Sequence, residues 1–535
     1  MTPASSSSRR KRPLRAPRQK VERELNLSFP SSAQWRYAAA AILLLAALCR
    51  VLYLTVKPLH HDEGVNGLFM AKLFRTGFYQ YDPANYHGPT LYYFGLITTT
   101  LNSLFYGKAG LSTFAIRMVP AIFGIATVWL LLSTRRCLKA LASLSAAFLL
   151  TLSPAHLYFS RYFIHEALFI FFTLALVTAA LRYGETGKRR DLIWGATAAA
   201  LLFATKETSV ITFAVLLLAW LCGHSYLLLK RSKTPSSIAP PPANSPWLPK
   251  SPGIRWLAIA ATVFIGINVL LYSSFFSNFP QGVYDSLRTY RYWVSTGANK
   301  YQSEWYTYFQ WLWQQELSIF LLGVLGIVVA LYQARHRFAI FTAFWAIGIT
   351  IAYSLIPYKT PWLILNLLLP LAITAGYGVE QWARFAQTRR STVMKLSVIA
   401  TISIALAWSA YQAIDLSFFR YDDSRIPYVY AHTTREFLSL VRQVESIESD
   451  NGHNQNLGIV VMSAEYWPLP WYLRDNPDVG YWGKYIDTTQ PVIIALESQA
   501  AEIEQKLGTL YRQYGTYELR PGVRLVLYLR RDQQP

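Results

Sequence analysis

Uncharged stretches recur along the chain at 118–134, 140–160, 167–181, 192–205, 208–229, 256–275, 317–334, 338–356, 362–379 and 396–414. Another apolar run opens near Tyr37 and closes at Val56. A helix that crosses a bilayer needs about 20 largely apolar residues, with a range of roughly 17–25. Counting end residues, the pattern predicts eleven spans. The segment before them, 1–35, is rich in Ser, Arg, Lys and Pro and has no apolar core. A cleaved signal peptide would set its apolar region close behind its basic start and follow it with small residues. Neither is present, so the tail reads as disordered and the first run as an uncleaved span.

A twelfth stretch, 89–106, carries Tyr92, Tyr93, Thr98, Thr99, Thr100 and Asn102 in its body. Loop charge decides its place. Arg135-Arg136-Cys137-Leu138-Lys139, Lys188-Arg189-Arg190, Lys230-Arg231-Ser232-Lys233, Arg335-His336-Arg337 and the stretch from Arg384 to Arg390 are all basic. Basic loops stay cytoplasmic. Eleven crossings put every one of them inside with the tail, provided 89–106 lies in the interface. The expected organisation is a basic cytoplasmic tail (1–35) and a transmembrane domain (36–415). Within the latter, 57–112 is an outer loop with interfacial helices, 230–252 a Pro-rich cytoplasmic linker and 276–315 an aromatic outer loop. After 415 the pattern changes to that of a small α/β domain, 416–535. It has helices over 433–447 and 500–514, strands at 457–463 and 491–496, and a strand or hairpin over 517–529. An odd number of crossings places it outside the cell membrane.

Composition agrees. Of 535 residues, 53% are hydrophobic and 15% charged, against about 25% charged in soluble domains. A soluble enzyme and a largely disordered chain are excluded. The net charge is +22. In the expected topology the inner side holds 27 Lys and Arg against 5 Asp and Glu, so it carries the whole excess. Orientation explains the charge, and nucleic-acid binding is not needed. Cys49, Cys137 and Cys222 all lie in apolar runs, which fits packing rather than a disulfide framework.

The polar motifs cluster on the outer side. They are His60-His61-Asp62-Glu63-Gly64, Tyr86-His87-Gly88-Pro89, Ser160-Arg161 with His165-Glu166, Thr205-Lys206-Glu207-Thr208 and Tyr358-Lys359-Thr360-Pro361-Trp362. Singly, each has a plain reading: an acid pair caps a helix, and a cation at a helix end anchors in the headgroups. Repetition at one membrane rim points to a functional site. Moving a sugar from a lipid phosphate needs a carboxylate to take the acceptor's proton. It also needs cations for the leaving phosphate. Asp62 is the first candidate base and Glu63 the second. Arg161, Lys206 and Lys359 are candidates for the phosphate. Glu166 and Glu207 pair with these cations or orient the acceptor, and His61, His87 and Trp362 are further acceptor-side candidates.

A long outer loop opening with Asp-Glu after the first span resembles the GT-C membrane glycosyltransferases, in particular family 39, the protein O-mannosyltransferases and lipid A aminoarabinose transferases. The motifs above, with Trp467-Pro468-Leu469-Pro470-Trp471-Tyr472-Leu473-Arg474-Asp475, are similar to a prokaryotic branch described as flippase-activity-associated. The resemblance implies a polytopic α-helical GT-C fold, a polyprenyl-phosphate sugar donor (a hexose such as mannose), an extracytoplasmic protein, lipid or glycan acceptor, and an inverting displacement. It maps the superfamily's acidic loop residue onto Asp62. The chain departs from the eukaryotic mannosyltransferases in lacking their inserted sugar-binding repeats and in its C-terminal domain. His60, His61, Asp62 and His165 form a mixed imidazole and carboxylate set that suits a divalent metal; hydrogen bonding and acid–base work are the other readings of these histidines. The competing function is a non-catalytic transporter or flippase-associated protein for lipid-linked sugars. Transporters place ionisable groups near the midplane and show internal repeats, and neither pattern is found.

Overall fold

The computed structural model describes residues 30–84, 87–232, 252–297, 303–389, 391–450 and 457–532. The basic tail through residue 29, most of the 230–252 linker and Tyr86 lie outside the described residues. Among the described residues the apolar part is made of these helices, with a further single turn at Arg135–Leu138: α1 Ser32–Val51, α2 His61–Thr76, α3 Thr90–Tyr106, α4 Thr113–Ser133, α5 Ala140–Thr151, α6 Pro154–Phe159, α7 Glu166–Thr186, α8 Arg189–Phe203, α9 Ser209–Ser232, α10 Ile254–Tyr272, α11 Gln281–Gly297, α12 Thr307–Gln315, α13 Leu317–Gln333, α14 Arg337–Leu355, α15 Leu365–Thr388 and α16 Thr392–Ile414.

Among the described residues, eight helices are long and apolar enough to cross a membrane, and a ninth arises if α12 and α13, bent by 112° at Glu316, count as one. The other two of the eleven expected spans are the short helices α5 and α8. Twelve residues of α5 reach about 18 Å, well under a core of about 30 Å. The helix stops there because Ser153 turns the chain and caps α6, whose first residue is Pro154. The stretch 140–160 is therefore a broken helix. The 89–106 segment is helix α3, whose far end exposes Leu104, Phe105 and Tyr106.

Helix α15 is the centre of the bundle and packs on α13, α5 and α14. Its span is 94% buried, whereas that of α10 is 6% buried and faces outward. Packing against α15 is backbone to backbone. A Cβ on Gly326 of α13 would fall 1.8 Å from the carbonyl oxygen of Thr374. Between lipid-soluble helices, small residues supply the close van der Waals contact that water expulsion supplies elsewhere.

The C-terminal part joins helix α17 (Phe437–Asp450) and helix α18 (Ala500–Leu507) to a five-stranded mixed sheet in the order β2-β1-β3-β5-β4. Strands β1 (Ile459–Val461), β2 (Val479–Tyr481) and β3 (Val492–Leu496) run parallel, and β4 (Tyr511–Arg520) and β5 (Val523–Arg530) form an antiparallel hairpin added to β3. The helix expected over 500–514 ends at Leu507, and β4 already begins at Tyr511. Gly508 stops the helix, and the residues beyond it pair with β5. Strand β2 was not expected; it is three half-buried residues with little hydrophobic signal.

The Trp467–Asp475 motif docks this domain on the first outer loop. Trp471 is buried in the apolar cluster that also holds Leu59 and Met70. Its indole N–H donates to Thr113 Oγ1 at 3.1 Å, Arg474 donates to the Leu111 carbonyl at 2.7 Å, and Tyr472 Oη accepts the Leu59 N–H at 2.9 Å. Helix α2 admits the indole because residue 67 is glycine: a Cβ there would sit 2.6 Å from the Trp471 ring. Gly67→Ala is expected to push the domain off α2 at a cost of about 1–3 kcal/mol. Faster proteolysis at the 416–436 junction, with the bundle intact, is the expected readout.

Candidate active site

Helix α2 starts at the candidate acid pair. His60 caps it: its Nδ1 accepts the Asp62 N–H at 3.1 Å, and its backbone N–H donates to Glu63 Oε2 at 3.0 Å. His60 Nε2 donates to the Tyr430 carbonyl at 3.0 Å, so both ring nitrogens are engaged.

The two acids then part. Glu63 is fully buried and forms a two-pronged ion pair with Arg117 of α4, with Nε–Oε1 at 2.8 Å and Nη2–Oε2 at 2.7 Å. Its Oε1 also accepts the Phe163 N–H at 2.8 Å. Arg117 spends its remaining donors on the carbonyls of Leu54, Lys57 and Pro58. Burial pushes the Glu63 carboxyl up, but the charge and hydrogen bonds of Arg117 outweigh it and hold the group below its usual range. Asp62, one residue earlier, is half-buried, and its carboxylate accepts no hydrogen bond among the described residues. It sits in the first turn, where the helix dipole favours a negative charge.

Asn66 stands one turn beyond Asp62 on the same face. Its Nδ2 donates to the Phe163 carbonyl at 3.1 Å, and its Oδ1 accepts Tyr92 Oη–H at 2.8 Å. The Tyr92 ring lies 5.7 Å from that of His165, edge to face, and His165 lies 5.3 Å from His87. His165 Nε2 donates to the Gly88 carbonyl at 3.0 Å, and His87 Nδ1 to Glu207 Oε2 at 2.9 Å. Backbone hydrogen bonds from Gly88 to Thr205 and from Thr90 to Ala204 stitch the two loops together. Next to them Lys206 Nζ meets Glu166 Oε1 at 2.6 Å, both nearly enclosed. Burial lowers the Lys206 ammonium, but Glu166 and Glu207 more than restore it, and it ends above its usual value. Glu207 is raised by burial and brought below its usual value by His87 and Lys206. His165 is driven well below the ordinary imidazole range by burial, then by His87 and Lys206, and is neutral at pH 7.

His87, His165, Glu166, Lys206 and Glu207 are thus brought together, and Tyr92 and Asn66 connect them to helix α2 one turn beyond Asp62. Other candidates lie outside that linked set. Arg161 turns its guanidinium onto the carbonyls of Cys49, Arg50, Leu52 and Tyr53 and closes the C-terminal end of α1. Lys359 donates to the carbonyls of Ser354 and Ile356 at the end of α14, its third N–H remaining for another acceptor. Trp362 packs 5.7 Å from His60. His61 lies 6.0 Å from Trp467, against the docked domain. The metal set disperses: His60 and His165 are committed to carbonyls, and no three His, Cys, Asp or Glu side chains among the described residues gather to hold an ion.

Sequence reasoning missed four residues. Arg117 lies inside an apolar run, 54 positions from Glu63. Asn66 and Tyr92 looked like ordinary helix polars. Lys57 is 1% exposed, with Nζ 3.1 Å from the centre of the Tyr162 ring and no hydrogen bond among the described residues. Its signal was a lone cation three residues before the His-His-Asp-Glu run.

Residues 86–278, which carry His87, His165, Lys206 and Glu207, match the family model described as dolichyl-phosphate-mannose-protein mannosyltransferase. No curated protein matches the chain by sequence. Among solved structures, ArnT from Cupriavidus metallidurans bound to undecaprenyl phosphate is 14% identical, with a TM-score of 0.61 over 94% of this chain and 99% of that one. The archaeal oligosaccharyltransferase AglB from Archaeoglobus fulgidus, solved with an inhibitory peptide and a dolichol-phosphate, is 13% identical, with a TM-score of 0.57 over 95% of this chain and 75% of that one. The fold is that of the GT-C glycosyltransferases. The eight apolar helices among the described residues agree with a multi-pass membrane protein.

Removing one partner of an enclosed ion pair leaves an uncompensated charge, at about 3–5 kcal/mol. Arg117→Leu is expected to lose that much in detergent unfolding, while Asp62→Asn stays near wild type. The Glu63 contribution has a defined pH sign. It is present above the unfolded carboxyl value of about 4.3 and fades as pH falls through the lower folded value. The stability gap between wild type and Glu63→Gln is expected to close below pH of about 4.

Proposed function

We propose that this GT-C protein transfers a sugar from a polyprenyl-phosphate donor to an acceptor outside the cytoplasm, inverting the anomeric centre. The observation that carries the reading is the division of labour in the acid pair. Glu63 is locked into the scaffold, and the Asp62 carboxylate beside it accepts no hydrogen bond among the described residues, one helical turn before Asn66, which Tyr92 connects to His165. In the proposed reaction Asp62 takes the proton of the acceptor's nucleophilic group. The acceptor atom bonds to the anomeric carbon, and the bond from that carbon to the phosphate oxygen breaks. Polyprenyl phosphate leaves with the electron pair. Lys206, held by Glu166 with two N–H groups to spare, and Lys359, with one to spare, are the cations for the leaving phosphate. Neutral His165 and the His87–Glu207 pair hold the wall against which the donor binds. Arg161, with its donors on four carbonyls, acts as a structural cap in this reading. The similar structures of ArnT and AglB, which hold undecaprenyl phosphate and a dolichol-phosphate, support a polyprenyl-phosphate donor. The matched family description supports mannose as the first sugar to test.

The test is incubation of the purified protein in liposomes with polyprenyl-phosphate-linked hexoses, reading release of polyprenyl phosphate. Loss of a general base slows transfer by roughly 10²–10⁴-fold, so Asp62→Asn is expected to fall that far with its unfolding midpoint unchanged. Full activity in that variant removes the base assignment. Lys206→Met and Lys359→Ala are expected to weaken donor binding, and unchanged donor affinity takes either one out of the phosphate site.

A further inference from the structure

At the end of the bundle that carries the basic loops, a groove of about 820 Å³ opens between α7, α8, α9 and α14. None of Asp62, His87, His165, Lys206 or Glu207 lines it. Leu176, Leu181, Ala199, Leu216, Leu217 and Phe341 line its depth. Its mouth is formed by Arg136, Arg335 and Arg337 with Glu185 and Asp191. From Glu185 at the mouth to Leu176 at the floor is nine residues of α7, about 14 Å at helical rise. That matches half of a hydrocarbon core of about 30 Å. The groove is therefore one leaflet deep, open at its headgroup end and apolar below.

The charges at the mouth are unequal. Asp191 is buried, accepts the Thr186 hydroxyl at 2.8 Å and lies 3.8 Å from Arg190. Glu185 accepts the Cys137 thiol at 3.1 Å. Arg136 and Arg335 are exposed and make no ion pair or hydrogen bond among the described residues. His336 is occupied with capping α14 through the Ala339 N–H. Two guanidinium groups with no acceptor thus stand over an apolar slot of leaflet depth. Basic pockets between membrane helices on the cytoplasmic side suit anionic headgroups, and guanidinium binds phosphate through paired N–H donors.

We infer that this groove is a binding site for a phospholipid with an anionic headgroup. One acyl chain lies between α7, α8 and α9, and the phosphate sits between Arg136 and Arg335. The site is separate from the proposed sugar-transfer chemistry and does not depend on it.

The full chain is reconstituted in phosphatidylcholine nanodiscs carrying a minor fraction of phosphatidylglycerol, and retained lipid is counted by native mass spectrometry after gentle delipidation. The expected result is one phosphatidylglycerol retained at least ten-fold over its share of the disc. Arg136→Ala with Arg335→Ala is expected to bring retention down to that share. Ala199→Phe keeps both guanidinium groups but fills the slot, and is expected to lose the lipid as well. Three results overturn the proposal: wild type retaining both lipids by abundance, the double variant keeping its preference, or Ala199→Phe retaining phosphatidylglycerol like wild type. The last outcome reduces the effect to surface attraction.

Discussion

The enclosed ion pair between Glu63 and Arg117 governs the geometry of the outer face. Two charges taken out of water are tolerable only when every lone pair and N–H finds a partner, and here the list is nearly complete. Arg117 gathers the carbonyls of Leu54, Lys57 and Pro58, while Glu63 gathers the N–H groups of His60 and Phe163. One pair thereby ties the exit of α1, the start of α2, the body of α4 and the turn before α7. These are the elements on which the candidate site is built. Asp62 owes its position to that knot: it lies on the first turn of a helix whose cap and second acid are both fixed.

Much of this was legible before the fold was seen. Every long uncharged stretch is helical, because a bilayer imposes both length and apolarity and leaves few alternatives. The motifs around His87, His165 and Lys206 do meet, since loops at one rim of a bundle are neighbours by construction. Three things were hidden. Helix breaks inside an apolar stretch depend on local caps such as Ser153, whose signal is one residue deep. Long-range pairing such as Glu63 with Arg117 leaves no periodic trace. The helix pattern from Ala500 reaches past the end of α18 because Ile503, Leu507, Leu510 and Tyr511 keep a helical apolar spacing across the switch to strand; Gly508 is the one cue.

Placement also separates candidates that looked alike. Arg161 and Lys206 are both cations at a helix end, and sequence treated them as equals. Arg161 meets the exposed carbonyls of α1, a site that any helix C-terminus offers to a cation. Lys206 meets a carboxylate from another helix, in a pocket shared with two histidines. Solvent exposure does not distinguish them, since both are buried; the nature of the partner does.

The docking of Trp471 onto Gly67 has a mechanical side. Asp62 and Gly67 belong to the same helix, five residues or about 8 Å apart along its axis. The C-terminal domain therefore rests on the element that carries the candidate base, and not merely near it. The Trp471 contact therefore ties the seating of the domain to the element that places the carboxylate. A large acceptor that touches both would feel the domain and the base as parts of one rigid jaw.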